Sequence, residues 1–302
     1  MRAKTTQDVF DLLDGNVTAA ALGAALELGL FWRLDKGPLT AEDVARELGI
    51  PFNRCAYWLQ LLAKLGLVRD DGEGYEITAL ARSTILDVYS HDTWAFLAWG
   101  FRGHSPAVND LPETIRKPVS TWELQGLTPP DYLEQIRNNP DYASRFTHML
   151  YEIHVALAEQ VAGMLDLSGA GRLLDLGGGS GVVSHALLRA NPGLSTTIVE
   201  NPHVCPIGQQ IARENGLEER VTYRSGDFVS DELPPGHDVI MMCDVGPHDE
   251  AMLRKIHGAL NDGGRHVIVD KLAPDENTAV PSRLVWAFQG SLERPADSLS
   301  LT

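Results

Sequence analysis

A glycine-rich turn, a set of acids and one histidine in this chain have the residue types and spacing to do chemistry together. Four glycines (Gly177, Gly178, Gly179 and Gly181) fall within "DLGGGSG", just after Asp175. Glycines let a ligand approach the main chain closely, and a helix that begins after them offers free N–H groups to an anion. Four acids close successive apolar runs: Glu200 ends "TTIVE", Asp227 lies in "GDF", Asp244 follows "HDVIMMC" and Asp270 ends "RHVIVD". An acid at Glu200 can accept from both hydroxyls of a ribose. Asp227 can accept from an adenine amino group, and Phe228 can stack on the ring. His248, in "PHDE", is the group suited to removing a proton near neutral pH.

These groups converge only if the chain builds the right elements. Leu173, Leu174 and Leu176 read as a buried strand. Val182, Val183, Ala186, Leu187 and Leu188 follow a helical period, and Asn191-Pro192-Gly193 stops that helix. From Gly171 onward, short continuous apolar runs alternate with helical segments. That is the pattern of a parallel sheet covered on both faces, a Rossmann-like doubly wound α/β domain, whose ligands sit at the carboxyl ends of the strands. Two glycine patterns compete at the first strand end. The dinucleotide fingerprint G-x-G-x-x-G needs a third glycine where Val182 stands. The acid-x-Gly-x-Gly-x-Gly loop of S-adenosylmethionine (SAM) methyltransferases is met in full by Asp175, Gly177, Gly179 and Gly181.

The first part of the chain is of another kind. Residues 8–32 read as helices with a face of small residues, Ala19 to Ala25. Thr40 is a helix N-cap with Asp43 at the capping-box position. After the turn at Gly49-Ile50-Pro51, a second helix is expected to turn Trp58, Leu61, Leu62 and Leu65 inward. Gly66 ends it, and Leu67-Val68 and Tyr75–Ile77 flank "RDDGEG" as a hairpin. Two helices and a hairpin make an α-helical winged-helix domain, over residues 1–85. A DNA reader needs basic groups there; this wing carries Asp70, Asp71, Glu73 and Glu76. Dimerisation or packing is the expected role. Residues 86–165 form a helical, aromatic-rich linker punctuated by Pro106, Pro112, Pro118, Pro129, Pro130 and Pro140, in which Phe146 and Met149 are candidates for the wall of a substrate pocket. Residues 166–302 make the cofactor-binding domain.

The whole-chain balance agrees. With 41 acidic against 25 basic residues the net charge is −16, which argues against a nucleic-acid partner. Cys55, Cys205 and Cys243 have neither metal nor disulfide spacing, so no metal is expected and a reducing cytoplasm is. The opening "MRAKTTQDVFDLLDGN" has no signal core, and "VTAAALGAALELGLFW" is interrupted by Glu27 and short for a bilayer, so no membrane is expected.

The chain resembles the small-molecule O-methyltransferases of the plant caffeate/flavonoid type and their bacterial natural-product relatives. The resemblance spans nearly all of it: the winged-helix dimerisation domain, "LLDLGGGSG", "GDF", "PHDE" and "GGRHVIVDKLAP". It implies SAM as cofactor, S-adenosylhomocysteine as product and a homodimer through the N-terminal domain. It implies Asp175, Gly177, Gly178, Gly179, Glu200, Asp227 and Phe228 around the cofactor, with Gly177 against the methionine part and Glu200 in place of the usual ribose aspartate. Cys243 stands where relatives often have a cofactor-contacting lysine. The family's catalytic histidine lies in a His-Asp-Trp signature, which here reads His248-Asp249-Glu250; the supporting acids fall on Asp270 and Glu293. Relatives run on through another helix and a final pair of strands. Here only "SLSLT" follows the 290s, so those strands are expected to be missing. The reading is methyl transfer to a hydroxyl of an aromatic or polyketide-like small molecule. The alternatives are C- or N-methylation or a repurposed SAM-binding relative on the same fold, and behind them a winged-helix regulator.

Overall fold

The computed structural model describes residues 3–103, 110–128, 131–270 and 281–295. Pro106, Pro129, Pro130, the end of "GGRHVIVDKLAP" and the closing "SLSLT" lie outside them. The chain divides into two compact units, Met1–Asn109 and Asp110–Thr302.

In the first unit, helices Thr6–Leu13, Gly15–Glu27, Leu30–Leu34, Ala41–Leu48 and Phe52–Lys64 precede strands β1 (Val68–Asp70) and β2 (Tyr75–Ile77). Thr40 caps Ala41–Leu48 by accepting from the Asp43 N–H at 3.1 Å. The two strands pair antiparallel, Val68 opposite Ile77, and Asp71 Oδ1 accepts from the Glu73 and Gly74 N–H groups to close the turn. The winged-helix order is therefore present.

The inward face of Phe52–Lys64 corrects the sequence expectation. Cys55, Leu59 and Leu62 are buried, at helical spacing i, i+4 and i+7, while Leu65 is exposed. Leu62 is buried as expected and Leu61 is half-buried; the stripe gains Cys55 and Leu59 and loses Leu65. Trp58 is half-buried because its indole N–H reaches the Ala21 carbonyl at 2.9 Å. The helix Gly15–Glu27 packs on helix His91–Gly103; a Cβ added at Gly23 would stand 3.9 Å from Ala98 Cβ. Helix Thr6–Leu13 buries nothing and exposes Val9, Phe10, Leu12 and Leu13.

The second unit holds five parallel strands: β3 (Arg172–Leu176), β4 (Ser195–Glu200), β5 (Val221–Ser225), β6 (His237–Cys243) and β7 (Leu260–Val269). Their order is β5-β4-β3-β6-β7. The period-2 alternation sorts their side chains between two cores. Leu173, Ile198, Tyr223, Val239 and Met241 pack with helices Pro140–Met164, Val182–Ala190 and Cys205–Glu214. Leu174, Leu176, Val199, Ile240 and Met242 pack with Met252, Ile256 and Ala259 of helix Glu250–Ala259. The strand order reverses between β3 and β6. That is the switch point beyond whose carboxyl ends ligands of such sheets bind.

No single described helix is long and apolar enough to cross a membrane; Thr6–Leu13 with Gly15–Glu27, bent by 45°, passes only as a pair.

The packing of helix Cys205–Glu214 on β5 depends on one missing side chain. A Cβ at Gly208 would lie 2.2 Å from the Tyr223 ring carbon Cζ. Gly208→Ala is therefore expected to cost about 1–3 kcal/mol, the scale of an overpacked core. Thermal denaturation should show a lowered midpoint, partly restored in the double variant with Tyr223→Leu. An unchanged midpoint for Gly208→Ala would contradict this packing.

Candidate active site

The glycine turn links β3 to helix Val182–Ala190, and Gly177, Gly179 and Gly181 all take positive φ, at 69°, 54° and 76°. Their neighbours add a second reason for glycine. A Cβ at Gly178 would stand 2.5 Å from Asp175 Oδ2, and one at Gly181 would stand 2.8 Å from the Tyr223 hydroxyl. At Gly177 a Cβ would meet Val245 Cγ1 at 3.0 Å and Phe228 Cε1 at 3.1 Å. The turn is thus pressed against side chains from the ends of β5 and β6.

Its peptide groups are gripped from β4 and β5. The Gly179 N–H donates to Glu200 Oε2 at 2.9 Å, and the Gly179 carbonyl accepts from the Tyr223 hydroxyl at 3.0 Å. Glu200 Oε1 accepts from the Asn201 N–H at 2.6 Å. Each carboxylate oxygen keeps a further lone pair, which suits a vicinal diol. Beneath the turn, Asp175 is fully buried and Oδ2 accepts from the Ser184 hydroxyl at 2.6 Å; Oδ1 has no hydrogen-bond partner among the described residues. Burial pushes this carboxyl up to about 7, against the Ser184 hydrogen bond and with the help of the Glu200 charge. Burial raises Glu200 too, against the two N–H groups it accepts from. Burial acts the other way on His185, lowering it to about 4, with the Arg189 charge adding.

The remaining acids stand at the same edge of the sheet, since the strands are parallel. Asp227 departs from the sequence expectation in one respect: its carboxylate is turned onto its own turn. Oδ1 accepts from the Val229 N–H at 2.9 Å and Oδ2 from the Ser230 hydroxyl at 2.8 Å, and these bonds hold it below the usual carboxylate range. Phe228 lies against Gly177. Cys243, at the end of β6, is half-buried and packs on the core shared with Val267 and Val269. Asp244 takes φ 53°, and this bend brings Val245 onto the glycine turn.

Just beyond, His248 Nε2 lies 3.1 Å from Asp270 Oδ2. Both side chains are about one-third exposed, at 31% and 30%. Asp249, the next residue, caps helix Glu250–Ala259 by accepting from the Met252 N–H at 2.8 Å. An ionised carboxylate only accepts, so in this pair Nε2 donates, and Nδ1 has no hydrogen-bond partner among the described residues. Sequence and structure thus meet at one pair, His248 with Asp270. Glu293 stands just past helix Pro281–Leu292, where Oε1 accepts from Gln289 Nε2 at 3.0 Å. Phe146 stacks on Tyr142 with ring centroids 5.7 Å apart, in a cluster that includes Ile136 and Val204; Met149 is buried on the same helix.

The charge at this edge discriminates among ligands. A dinucleotide would bring its pyrophosphate to a sheet edge that carries Glu200, Asp227, Asp244 and Asp270. A ligand carrying a sulfonium and an ammonium would meet them with opposite charge.

The comparisons with known proteins decide the family. Residues 111–292 match the O-methyltransferase domain, and residues 10–86 match the O-methyltransferase dimerisation domain. The chain belongs to the O-methyltransferase family. It is 29% identical over 275 residues to the 3-hydroxy-5-methyl-1-naphthoate 3-O-methyltransferase of Streptomyces sahachiroi, covering 90% of this chain and 78% of that protein. It is 31% identical over 267 residues to the L-tyrosine C(3)-methyltransferase of Streptomyces lavendulae, covering 84% and 72%. Its fold superposes on the mitomycin 7-O-methyltransferase MmcR with a TM-score of 0.79 at 27% identity, covering 95% of this chain and 85% of that one.

In this methyltransferase several residues that shape the site escaped the sequence reading. Tyr223 and Ser184 carry no motif. The available signal was indirect: Gly208 in mid-helix faces the Tyr223 ring, and Ser184 is a polar residue among the buried Val183, Leu187 and Leu188. His266 was also missed; its Nε2 is buried with no hydrogen-bond partner among the described residues, and burial, then the nearby His248, lowers it.

The buried Asp175 makes stability depend on pH. The folded carboxyl keeps its proton up to about 7, whereas the unfolded one loses it near the ordinary value of 3.8. Between these values the native state binds more protons, so the contribution of Asp175 falls as pH rises, by at most about 1.4 kcal/mol per pH unit. His185, lowered to about 4, contributes in the opposite sense. Chemical denaturation at pH 5 and pH 7 should therefore show stability rising more steeply with pH, or falling less, in Asp175→Asn than in the wild type. The comparison cancels the histidine contribution. Equal pH slopes would contradict a protonated Asp175.

Proposed function

We propose that this methyltransferase moves a methyl group from SAM to a hydroxyl of an aromatic or polyketide-like small molecule. The observation that carries the reading is the His248–Asp270 pair at 3.1 Å, beside an acid-lined glycine turn. The cofactor supplies a methyl carbon already activated by its sulfonium. What the chain must add is alignment, worth about 7–11 kcal/mol of barrier, and removal of the hydroxyl proton. Gly177 and its neighbours receive the methionine part, Glu200 the ribose hydroxyls, and Asp227 and Phe228 the adenine; Cys243 lines the same end of β6. Asp270 holds the His248 ring in the tautomer that leaves Nδ1 basic, and its charge stabilises the imidazolium that forms. Glu293 is the second supporting acid.

Residues 1–85 serve dimerisation, 86–165 contribute acceptor-pocket walls through Phe146 and Met149, and 166–302 hold the cofactor. The product is S-adenosylhomocysteine and the setting is the cytoplasm, where Cys55, Cys205 and Cys243 stay reduced. Hydroxyl transfer is favoured over C- or N-methylation because a histidine–carboxylate pair is a proton-removing device.

His248→Ala is expected to lower turnover by about 10²–10⁴-fold, the usual scale for general acid–base catalysis. Asp270→Asn should cause a smaller loss. Affinity for S-adenosylhomocysteine, read by titration calorimetry, should barely change in either. Turnover in His248→Ala close to the wild type would reject the base and favour methylation of nitrogen or carbon.

The exposed Val9, Phe10, Leu12 and Leu13 face of helix Thr6–Leu13 suits burial against a second copy. Light scattering at micromolar protein should give about twice the chain mass of 33.0 kDa. A monomer across all concentrations would refute the homodimer.

A further inference from the structure

One lysine connects the two halves of the site. Lys255 lies on helix Glu250–Ala259, the helix that begins just after His248. Its Nζ donates to the Phe228 carbonyl at 2.9 Å and to the Val229 carbonyl at 3.0 Å. The turn it reaches is internally bonded on its N–H side. The Val229 N–H and Ser230 hydroxyl go to the Asp227 carboxylate, the Asp227 N–H goes to Asp231 Oδ2, and the Asp231 N–H goes to the Asp227 carbonyl. The Gly226 N–H ties the start of the turn to the Glu200 carbonyl at 3.1 Å.

The helix itself is anchored. Met252, Ile256 and Ala259 are buried against β3 and β6, and Asp249 caps its first turn. An ammonium on this fixed helix, bonded to two carbonyls of a turn that lies at the protein surface, determines where that turn stands. Phe228 is thereby held against Gly177, beside Val245. The Lys255 charge also acts on Asp227, as a smaller influence after the Val229 N–H, the Ser230 hydroxyl and the opposing burial.

We propose that Lys255 is a positioning residue: it locks the Asp227–Phe228 turn to the helix that follows His248, so that the adenine end of the cofactor and the proton acceptor are set by one rigid element. The inference rests on the reading of the 227–228 turn as the adenine site. Lys255 touches neither the cofactor nor the acceptor. Its effect is on cofactor affinity, through main-chain atoms of the turn, and not on the proton-transfer step.

The test compares the wild type, Lys255→Met and Lys255→Arg as full chains. Charge-assisted bonds at a half-exposed site predict about a tenfold weaker affinity of Lys255→Met for S-adenosylhomocysteine. The loss should be the same for 5′-methylthioadenosine, which keeps the adenosine but lacks the amino-acid end. KM for SAM should rise in proportion, with kcat at saturating SAM within about twofold of wild type, and Lys255→Arg should restore most of the affinity. Should Lys255→Met lose its circular dichroism signal, Lys255→Gln, which keeps a donor at shorter reach, takes its place with the same expectation. Wild-type affinity in the substituted protein, or a fall in kcat with KM unchanged, overturns the role of Lys255 and leaves the cofactor reading intact. No binding of either nucleoside by the wild type overturns both.

Discussion

Both main-chain polar groups of Gly179 are held, its N–H by Glu200 and its carbonyl by Tyr223. Much of the site depends on that grip. A turn of four glycines has little conformational preference of its own and loses much entropy on ordering. It can present a defined surface only if neighbouring strands supply the order. β4 supplies a carboxylate and β5 a phenol, from Glu200 and Tyr223. Tyr223 in turn can lie where it does only because Gly208 and Gly181 leave room for its ring and hydroxyl. The glycines of the turn and the glycine of the neighbouring helix are thus parts of one steric solution.

The same grip concentrates charge. Glu200 must stay near the turn to bond it, and Asp175 is buried beneath, so two carboxyls share a poorly hydrated region where burial raises both. Ionising them together is costly without a compensating cation. A sulfonium and an ammonium would provide that compensation, whereas a pyrophosphate would worsen the repulsion. The electrostatics therefore favour a cationic cofactor by the same atoms that shape the turn. The chain's net charge of −16 is in keeping with this edge but does not explain it.

On the other face of the sheet, helix Glu250–Ala259 provides rigidity of a different sort. Its apolar side is in the core of Leu174, Leu176, Ile240 and Met242, its first turn is capped by the residue after His248, and its Lys255 reaches the 228–229 carbonyls. By contrast, the surface ion pair Arg254–Glu250 on the same helix is largely exposed on both sides and contributes little. What orders the site is hydrogen bonding between buried or partly buried groups and packed elements.

The sequence by itself determined the elements and the class of chemistry. Apolar runs of the right length gave five parallel strands. Glycine spacing after Asp175 selected the SAM-type loop over the dinucleotide one, and strand-end positions named Glu200, Asp227 and Asp270. These features are local, so periodicity and spacing carry them. Only the tertiary structure decided which groups meet. The register that sets Tyr223 opposite Ile198 brings its hydroxyl to Gly179, and the pairing of Cys243 with Val269 brings His248 within reach of Asp270. The turn of Asp227 onto its own N–H groups, the reach of Lys255 and the inward stripe of Cys55, Leu59 and Leu62 were likewise decided there. Each depends on rotamer choice, register or helix rotation, and these are set by residues distant in the chain that compete for the same space.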